Sequence, residues 1–166
     1  MKTDLLKFYT NEKPNNRNVY LKEMWSYTND QLENEHKYIQ WMFPTDSKSW
    51  FNFSAPTLTT EDIDILKNDE RVMNNFKKSI QVIFQFYGFK LMQDDSIIYS
   101  TDFEIKAKSW ITINNHNYRR ISRILRFLTL FEFNKIKREL LVILSEIYSK
   151  YGNVIGDRTY QIWQCN

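Results

Sequence analysis

Apolar residues recur at helical spacing along most of this chain, with short polar connectors between the repeats. The clearest stripe is Ile121, Ile124, Leu125 and Leu128, within the segment 116–128. Comparable stripes predict helices over residues 5–9, 19–27, 60–67, 70–87 and 135–151, and one more that Thr28 or Asn29 caps and Pro44 closes. The pattern therefore predicts an all-α fold of about six to seven helices.

Several helix ends carry their own signals. Thr59 followed by Asp62 approximates a capping box, and Asn134 is suited to cap the last predicted helix. Gly88 and Gly152 are suited to end helices, Gly88 as a left-handed cap. In the connector after Pro44, the apolar residues Trp50, Phe51 and Phe53 are expected to fold back onto the core.

The segment at about 89–109 is the least helical part of the chain. Its strand-like runs, 97–99 and 103–105, are interrupted by Asp and Ser residues. We expect one long, partly extended loop here, with a small hairpin as an option. A loop of this length in a compact domain is commonly functional, so it is a candidate lid over the basic helix at 116–128.

Length and composition narrow the class of protein. A chain of 166 residues predicts one compact domain over 1–166, and 16% aromatic residues with only three Gly and three Pro argue against a turn-rich β-sandwich. The single cysteine, Cys165, allows no internal disulfide, which favours a reducing compartment, the cytoplasm or nucleus. No run approaches the roughly 20 apolar residues of a membrane span, so a soluble protein is expected.

Positive charge gathers in the later part of the chain, although the net charge is only +3. Arg119, Arg123 and Arg126 follow each other at i, i+4 and i+7, on the side of the helix opposite its apolar stripe. The simplest interpretation is a solvated helix face. The alternative is nucleic-acid or polyanion binding through a basic row that comprises Arg119, Arg126, Lys135 and Arg138.

Catalytic and metal chemistry find little support in the sequence. Two histidines without an HExxH or paired-cysteine pattern do not make a metal set, and Cys165 has no identifiable base, so we expect no metal, no cofactor and no catalytic residue. An enzyme that acts on a phosphorylated substrate beneath the 89–109 lid is the least favoured option.

The start of the basic helix permits two interpretations. Asn114, Asn115 or Asn117 can cap the helix through its side chain, which is a structural role. Alternatively, the free first-turn amides, with Arg120 and Arg123 one turn further on, form a site for an anionic group.

Two segments resemble the signature of a known family. The run His36-Lys37-Tyr38-Ile39-Gln40-Trp41-Met42-Phe43-Pro44 is similar to the motif His-x-Tyr-Ile-Gln-Trp-Leu-Phe-Pro, and His116-Asn117 before Arg120-Ile121-Ser122-Arg123-Ile124-Leu125 is similar to His-Asn before Arg-Ile-Thr-Arg-Ile-Leu. The smaller matches are Phe8-Tyr9-Thr10-Asn11-Glu12, Ala55-Pro56, Leu58-Thr59 and Phe86-Tyr87-Gly88. In this order the chain resembles the conserved N-terminal domain of the opioid growth factor receptor family.

The resemblance implies an all-α domain without catalysis. For the animal members it implies recognition of an enkephalin-type pentapeptide at the nucleus and perinuclear membranes, so any membrane association would be peripheral. One departure from the family pattern is Glu132, which stands where a glycine turn is expected and leaves the exit of the basic helix undefined.

These observations combine into a functional hypothesis. We expect a non-enzymatic binding module that takes a carboxylate-bearing peptide or protein segment in a cleft between the 36–44 helix and the 116–128 basic helix. The expected ligand-binding residues are His36, Gln40, Trp41, His116, Asn117, Arg120 and Arg123.

Overall fold

A computed structural model describes residues 3–48 and 55–166. Within those ranges the chain forms ten helices and one two-stranded antiparallel sheet. The helices are α1 (Asp4–Tyr9), α2 (Leu21–Met24), α3 (Asn29–Asn34), α4 (Tyr38–Met42), α5 (Thr60–Lys67), α6 (Glu70–Tyr87), α7 (Phe103–Trp110), α8 (Asn117–Leu130), α9 (Asn134–Ile155) and α10 (Asp157–Cys165), and the strands are β1 (Phe89–Leu91) and β2 (Ile97–Tyr99). The mostly helical fold class is thus confirmed, whereas the expectation for Trp50, Phe51 and Phe53 lies outside the described residues.

The chain divides into two compact units, Met1–Val82 and Ile83–Asn166, with the division inside α6. In the first unit the predicted capping signals form. Thr59 Oγ1 accepts from the Asp62 amide at 3.1 Å while the Thr59 amide donates to Asp62 Oδ2 at 2.9 Å, and α5 follows over the predicted residues. Thr28 forms the same kind of box with Gln31. Each box satisfies amides that the first helical turn leaves free.

The sequence predicts one helix that Pro44 closes, and this prediction is wrong because the structure has two separate helices there, α3 and α4. The backbone is extended at Glu35, with ψ of 116°, which ends α3 there. The hydroxyl of Tyr38 donates to the Leu32 carbonyl at 2.9 Å, so a side chain satisfies an acceptor that the α3 C-terminus leaves free. The helix predicted over 19–27 is also shorter, four residues long, with Leu21 and Met24 buried.

Aromatic side chains form the centre of the first unit. Phe8 and Trp41 meet edge to face at 5.0 Å between ring centroids, and Tyr9 and Phe76 meet at 4.9 Å. The buried Tyr9 hydroxyl donates to the Trp41 carbonyl at 2.9 Å, which joins α1 to α4. Edge-to-face pairs add to the stabilisation from burial, so this cluster anchors the short helices around it.

In the second unit the segment 89–109 folds further than the sequence predicts. β1 and β2 form the expected hairpin, with Phe89 opposite Tyr99, but residues 103–110 are the helix α7 and not an extended loop. The reason is packing: Phe103, Ala107 and Trp110 recur at helical spacing and are all buried. The Trp110 indole donates to the Tyr87 carbonyl at 3.1 Å, at the end of α6.

Glycine is required between α6 and β1. Gly88 has φ of +89°, the left-handed conformation predicted for it, and a Cβ there would stand 2.9 Å from the Phe103 Cα. A different residue ends α9. The predicted stop at Gly152 corresponds to a kink at Tyr151, where φ is −125° and ψ is 22°; helical structure resumes beyond it to Ile155, and Gly156 with φ of +84° follows.

The turn between α8 and α9 places Glu132 in the left-handed region, with φ of +57°. This conformation normally favours glycine, so the glycine expected from the resemblance would adopt it without strain. Beyond α9, the last helix α10 is anchored by Trp163, which is fully buried and donates from its indole nitrogen to the Tyr118 carbonyl at 3.2 Å. Among the described residues, none of the helices has the length and apolar character needed to cross a bilayer.

Replacement of Tyr9 with Phe tests the aromatic centre of the first unit. The change removes the hydrogen bond to Trp41 and leaves a buried carbonyl with one donor fewer, so we expect a loss of about 1 to 2 kcal/mol of unfolding free energy in urea denaturation. The control is Tyr27→Phe, because Tyr27 is half-buried and its hydroxyl bonds to no described residue. Equal stability of the two variants would contradict the assigned role of Tyr9.

Candidate functional site

The start of α8 is shaped by asparagine side chains. Asn115 Oδ1 accepts from the Asn117 amide at 2.9 Å, which confirms the capping role considered for it, and its amide nitrogen donates to the Ser109 carbonyl at 3.1 Å. The Tyr118 hydroxyl donates to the Thr112 carbonyl at 2.8 Å. These bonds tie the connector after α7 to the first turn of α8.

Beneath this turn lies a buried polar network. Asn117 is fully buried, and its Oδ1 accepts from Arg120 Nη1 at 3.1 Å and from the Tyr87 hydroxyl at 3.3 Å. Its side-chain nitrogen, Nδ2, donates to Asn115 Oδ1 at 3.0 Å. Arg120 is only 5% exposed, so its guanidinium is held inside the unit. Asn117 and Arg120 therefore face the interior, and Arg119, their neighbour, is exposed.

An open cavity of about 670 Å³ lies above the same turn, between α8 and α10. Three of its lining residues are basic or able to become so: His116, Arg119 and Arg158. The full lining also includes amide, hydroxyl and apolar side chains, namely Asn114, Asn115, Tyr118, Ser122, Thr159 and Ile162. No carboxylate is among these lining residues. A concave site with this charge suits an anionic group.

The phenol of Tyr118, which also lines the cavity, is held in its neutral form. Burial raises the pKa of Tyr118. The hydroxyl consequently stays protonated at neutral pH and adds no negative charge to the cavity.

Two other cavities have acidic and basic groups that pair with each other. One, of about 530 Å³ in the first unit, holds the ion pair between Asp69 and Arg71 at 2.7 Å. The other, of about 430 Å³, holds Lys150 at 3.2 Å from Glu104, and the Tyr99 hydroxyl donates to Glu146 at 2.9 Å. Burial, and then Glu146, raise the pKa of Tyr99. The α8–α10 cavity differs from both because basic residues line it and no carboxylate is among its lining residues.

The residues of the predicted basic row differ in their exposure and in their partners, so they do not form one continuous exposed surface. Arg123 and Arg126 are half-buried, and Arg138 is exposed on α9. Lys135 forms an ion pair with Asp94 at 3.3 Å and also donates to the Asp94 carbonyl. Hydrogen bonds from Ser96, and then from Lys135, lower the pKa of Asp94 to about 2. Lys135 is therefore already committed to an acidic neighbour.

The second wall of the cavity was missed by the sequence-based prediction. Arg158, Thr159 and Ile162 lie on α10, in a tail whose apolar residues predicted packing but no function. The available signal was the spacing of Arg158 and Ile162 at i and i+4, which places them on one face of a helix.

Comparison with known proteins decides the family. Residues 2–151 match the family model of the opioid growth factor receptor conserved region. The chain belongs to this family.

Curated relatives agree with the assignment. The chain is 31% identical over 146 residues to the opioid growth factor receptor-like protein 1 of Mus musculus, an alignment that covers 82% of this chain and 30% of that protein. It is 30% identical over 129 residues to the opioid growth factor receptor of Rattus norvegicus, covering 74% of this chain and 22% of that one. The human receptor is 27% identical over 132 residues, with coverage of 76% and 19%. The chain thus spans less than a third of the length of these relatives, and no solved structure matches it.

The family signature in the first unit contributes mainly to its interior. Of the predicted ligand residues there, Gln40 and Trp41 are each 8% exposed and His36 is exposed. With its amide nitrogen turned toward the backbone, Gln40 donates to the carbonyls of His36 at 3.0 Å and Lys37 at 3.2 Å. It thereby fixes the turn between α3 and α4.

The two adjacent arginines of α8, Arg119 and Arg120, are expected to differ sharply in their effect on stability. Arg120→Ala removes a buried donor from Asn117, so we expect a loss of about 2 to 4 kcal/mol in urea denaturation. Arg119→Ala, at an exposed position, should change stability by about 0.5 kcal/mol or less. A stability loss for Arg120→Ala as small as that for Arg119→Ala would contradict the structural role of the buried network.

Proposed function

We propose that this chain is a non-enzymatic binding module that takes an acidic group of a peptide or protein segment in the α8–α10 cavity. The observation that carries the proposal is a cavity of about 670 Å³ with His116 and Arg119 on one wall, Arg158 on the other, and no carboxylate in its lining. Arginine provides a planar set of donors that matches a carboxylate, and the positive end of α8 adds to the attraction.

The buried network gives the cavity a defined floor. Asn117, held by Arg120 and Tyr87, fixes the first turn of α8 and with it the positions of His116 and Arg119. In this proposal Asn117 and Arg120 are positioning residues, and His116, Arg119 and Arg158 contact the ligand. The ligand contacts expected of Asn117, Arg120 and Arg123, and those of His36, Gln40 and Trp41 in the first unit, stay predictions.

The absence of catalysis is part of the proposal. Within the cavity lining, the one aliphatic hydroxyl on α8 is Ser122, which donates to the Tyr118 carbonyl at 3.1 Å. A serine nucleophile needs a base to take its proton, and a backbone carbonyl is not such a base. This arrangement supports binding rather than group transfer.

The receptor names of the relatives support ligand binding in general terms. Those names belong to much longer proteins, and we extend to this chain the binding of a peptide or protein segment without their particular ligand. The single exposed Cys165 fits a reducing compartment, which we propose as the cytoplasm or nucleus.

The test uses an acetylated hexapeptide pool with free C-terminal carboxylates and the same pool with C-terminal amides. We expect the free-acid pool to raise the melting temperature at 150 mM salt more than the amide pool, because a ligand of the native state stabilises it. In calorimetric titration, Arg119→Ala should weaken binding by about tenfold, the value of one charge-assisted contact.

Arg138→Ala serves as the matched control, since Arg138 is an exposed arginine on α9 outside the cavity lining. It should leave peptide affinity unchanged. A melting-temperature rise with heparin or double-stranded oligonucleotides, erased by salt and reduced equally by Arg119→Ala and Arg138→Ala, would overturn the proposal in favour of polyanion binding.

A further inference from the structure

Arg158 stands apart from the other basic residues of the α8–α10 cavity. It is exposed near the start of α10, and its side chain forms no ion pair or hydrogen bond with any residue that the structure describes. Its acidic neighbour Asp157 is engaged elsewhere, accepting from the Tyr148 hydroxyl at 2.6 Å. Arg158 therefore lines the cavity with an unsatisfied positive charge.

The wall that carries Arg158 is firmly placed. Trp163 is fully buried, and its ring meets Tyr118 of α8 edge to face at 5.7 Å. Tyr160 stacks on Tyr148 of α9 at 4.0 Å between centroids, and its hydroxyl shares a hydrogen bond of 3.0 Å with Ser145. Contacts with both α8 and α9 fix α10, so Arg158 and Arg119 line the same cavity from two anchored helices.

The basic groups that line this cavity outnumber the single charge of a carboxylate. Two guanidinium groups are permanently positive, and His116 adds a third group that becomes positive on protonation. A carboxylate brings one negative charge. A phosphate monoester brings about 1.5 to 2 negative charges at pH 7 and three strong acceptor oxygens. The hydroxyl of Thr159 offers a further donor in the lining.

We propose that this cavity selects a phosphorylated side chain of a partner protein over a carboxylate, and that Arg158 is the residue that makes the selection. The inference rests on the proposed function, because it names the acidic group that the cavity takes. Ile162, which is 44% exposed and lines the cavity, offers apolar surface to the carbon atoms of such a side chain. Free phosphate has no carbon atoms to use that surface.

The selecting residue lies outside the part of the chain that matches the family model. That match ends at residue 151, whereas α10 covers Asp157–Cys165. The α8 wall, with His116 and Arg119, falls inside the match. Selection of a phosphate is therefore a property that α10 adds to the family region.

The experiment titrates 15N-labelled protein with four probes: the acetyl amides of phosphoserine, phosphotyrosine and glutamate, and inorganic phosphate. The side-chain Nε–Hε signals of Arg119 and Arg158 report binding in the cavity. We expect at least one phosphorylated amide to bind about tenfold or more tightly than the glutamate amide, because phosphate carries more negative charge than a carboxylate. It should also bind about tenfold or more tightly than inorganic phosphate, because its carbon atoms contact the cavity.

Variants of the full chain assign the selection to one residue. Arg158→Ala should weaken binding of the phosphorylated amide more than binding of the glutamate amide and so remove most of the preference, and Arg158→Lys should retain part of the preference. Arg138→Ala is the control for a general loss of positive charge. Because Arg158 is exposed and unpaired among the described residues, we expect the backbone spectrum of Arg158→Ala to match that of the parent protein away from α10.

The outcomes separate the two proposals. Equal affinity for the phosphorylated and glutamate amides, with both shifting Arg119 signals, would overturn phosphate selection and leave the binding module intact. Equal affinity for inorganic phosphate and the phosphorylated amides would overturn recognition of a side chain. No shift at either arginine with any probe or with the free-acid peptide pool would overturn both proposals.

Discussion

The second unit depends on the hydrogen bonds that the buried Asn117 side chain accepts. Its Oδ1 receives donors from Tyr87 at the end of α6 and from Arg120 one turn along α8, so one atom joins two helices. A buried guanidinium is costly unless its donors are satisfied, and the desolvation penalty falls on any variant that breaks the arrangement. The same first turn presents His116 and Arg119 to the cavity on its outer side.

The outer wall of the cavity depends on a different interaction. Trp163 buries its whole side chain and still satisfies its indole N–H through the Tyr118 carbonyl, so burial and hydrogen bonding act together. The stacked pair of Tyr148 and Tyr160 holds the same helix to α9. The cavity therefore combines residues of the region that the family shares with residues of α10, which lies beyond the family match.

Much of the helical framework could be predicted because its signals are local. Thr59 with Asp62, the amphipathic stripe of α8 and the left-handed Gly88 each depend on residues a few positions apart. The failures involve long-range packing. Residues 103–110 are interrupted by polar side chains, and it is the aromatic cluster around Phe89 and Trp110 that favours a helix there.

The candidate site was less predictable than the fold, because polar residues that are expected to face a ligand can instead be buried. Asn117 and Arg120 are polar, so a sequence-based prediction places them toward a ligand, whereas Tyr87 supplies a buried partner from 30 residues away. Arg158 was missed because its importance comes from the packing of Trp163, and no local motif reveals that contact. By contrast, His116 and Arg119 were both named among the candidate residues, and both line the cavity.

The central claim is that the chain binds anionic groups at one place, the α8–α10 cavity. The most direct measurement is chemical-shift mapping over all backbone amides of the full chain as an acidic peptide pool is added at 150 mM salt. The account predicts that the largest changes lie at residues 114–122 and 158–162, which line the cavity from both helices. Changes concentrated instead around the other basic residues Arg126, Lys135 and Arg138 would contradict it.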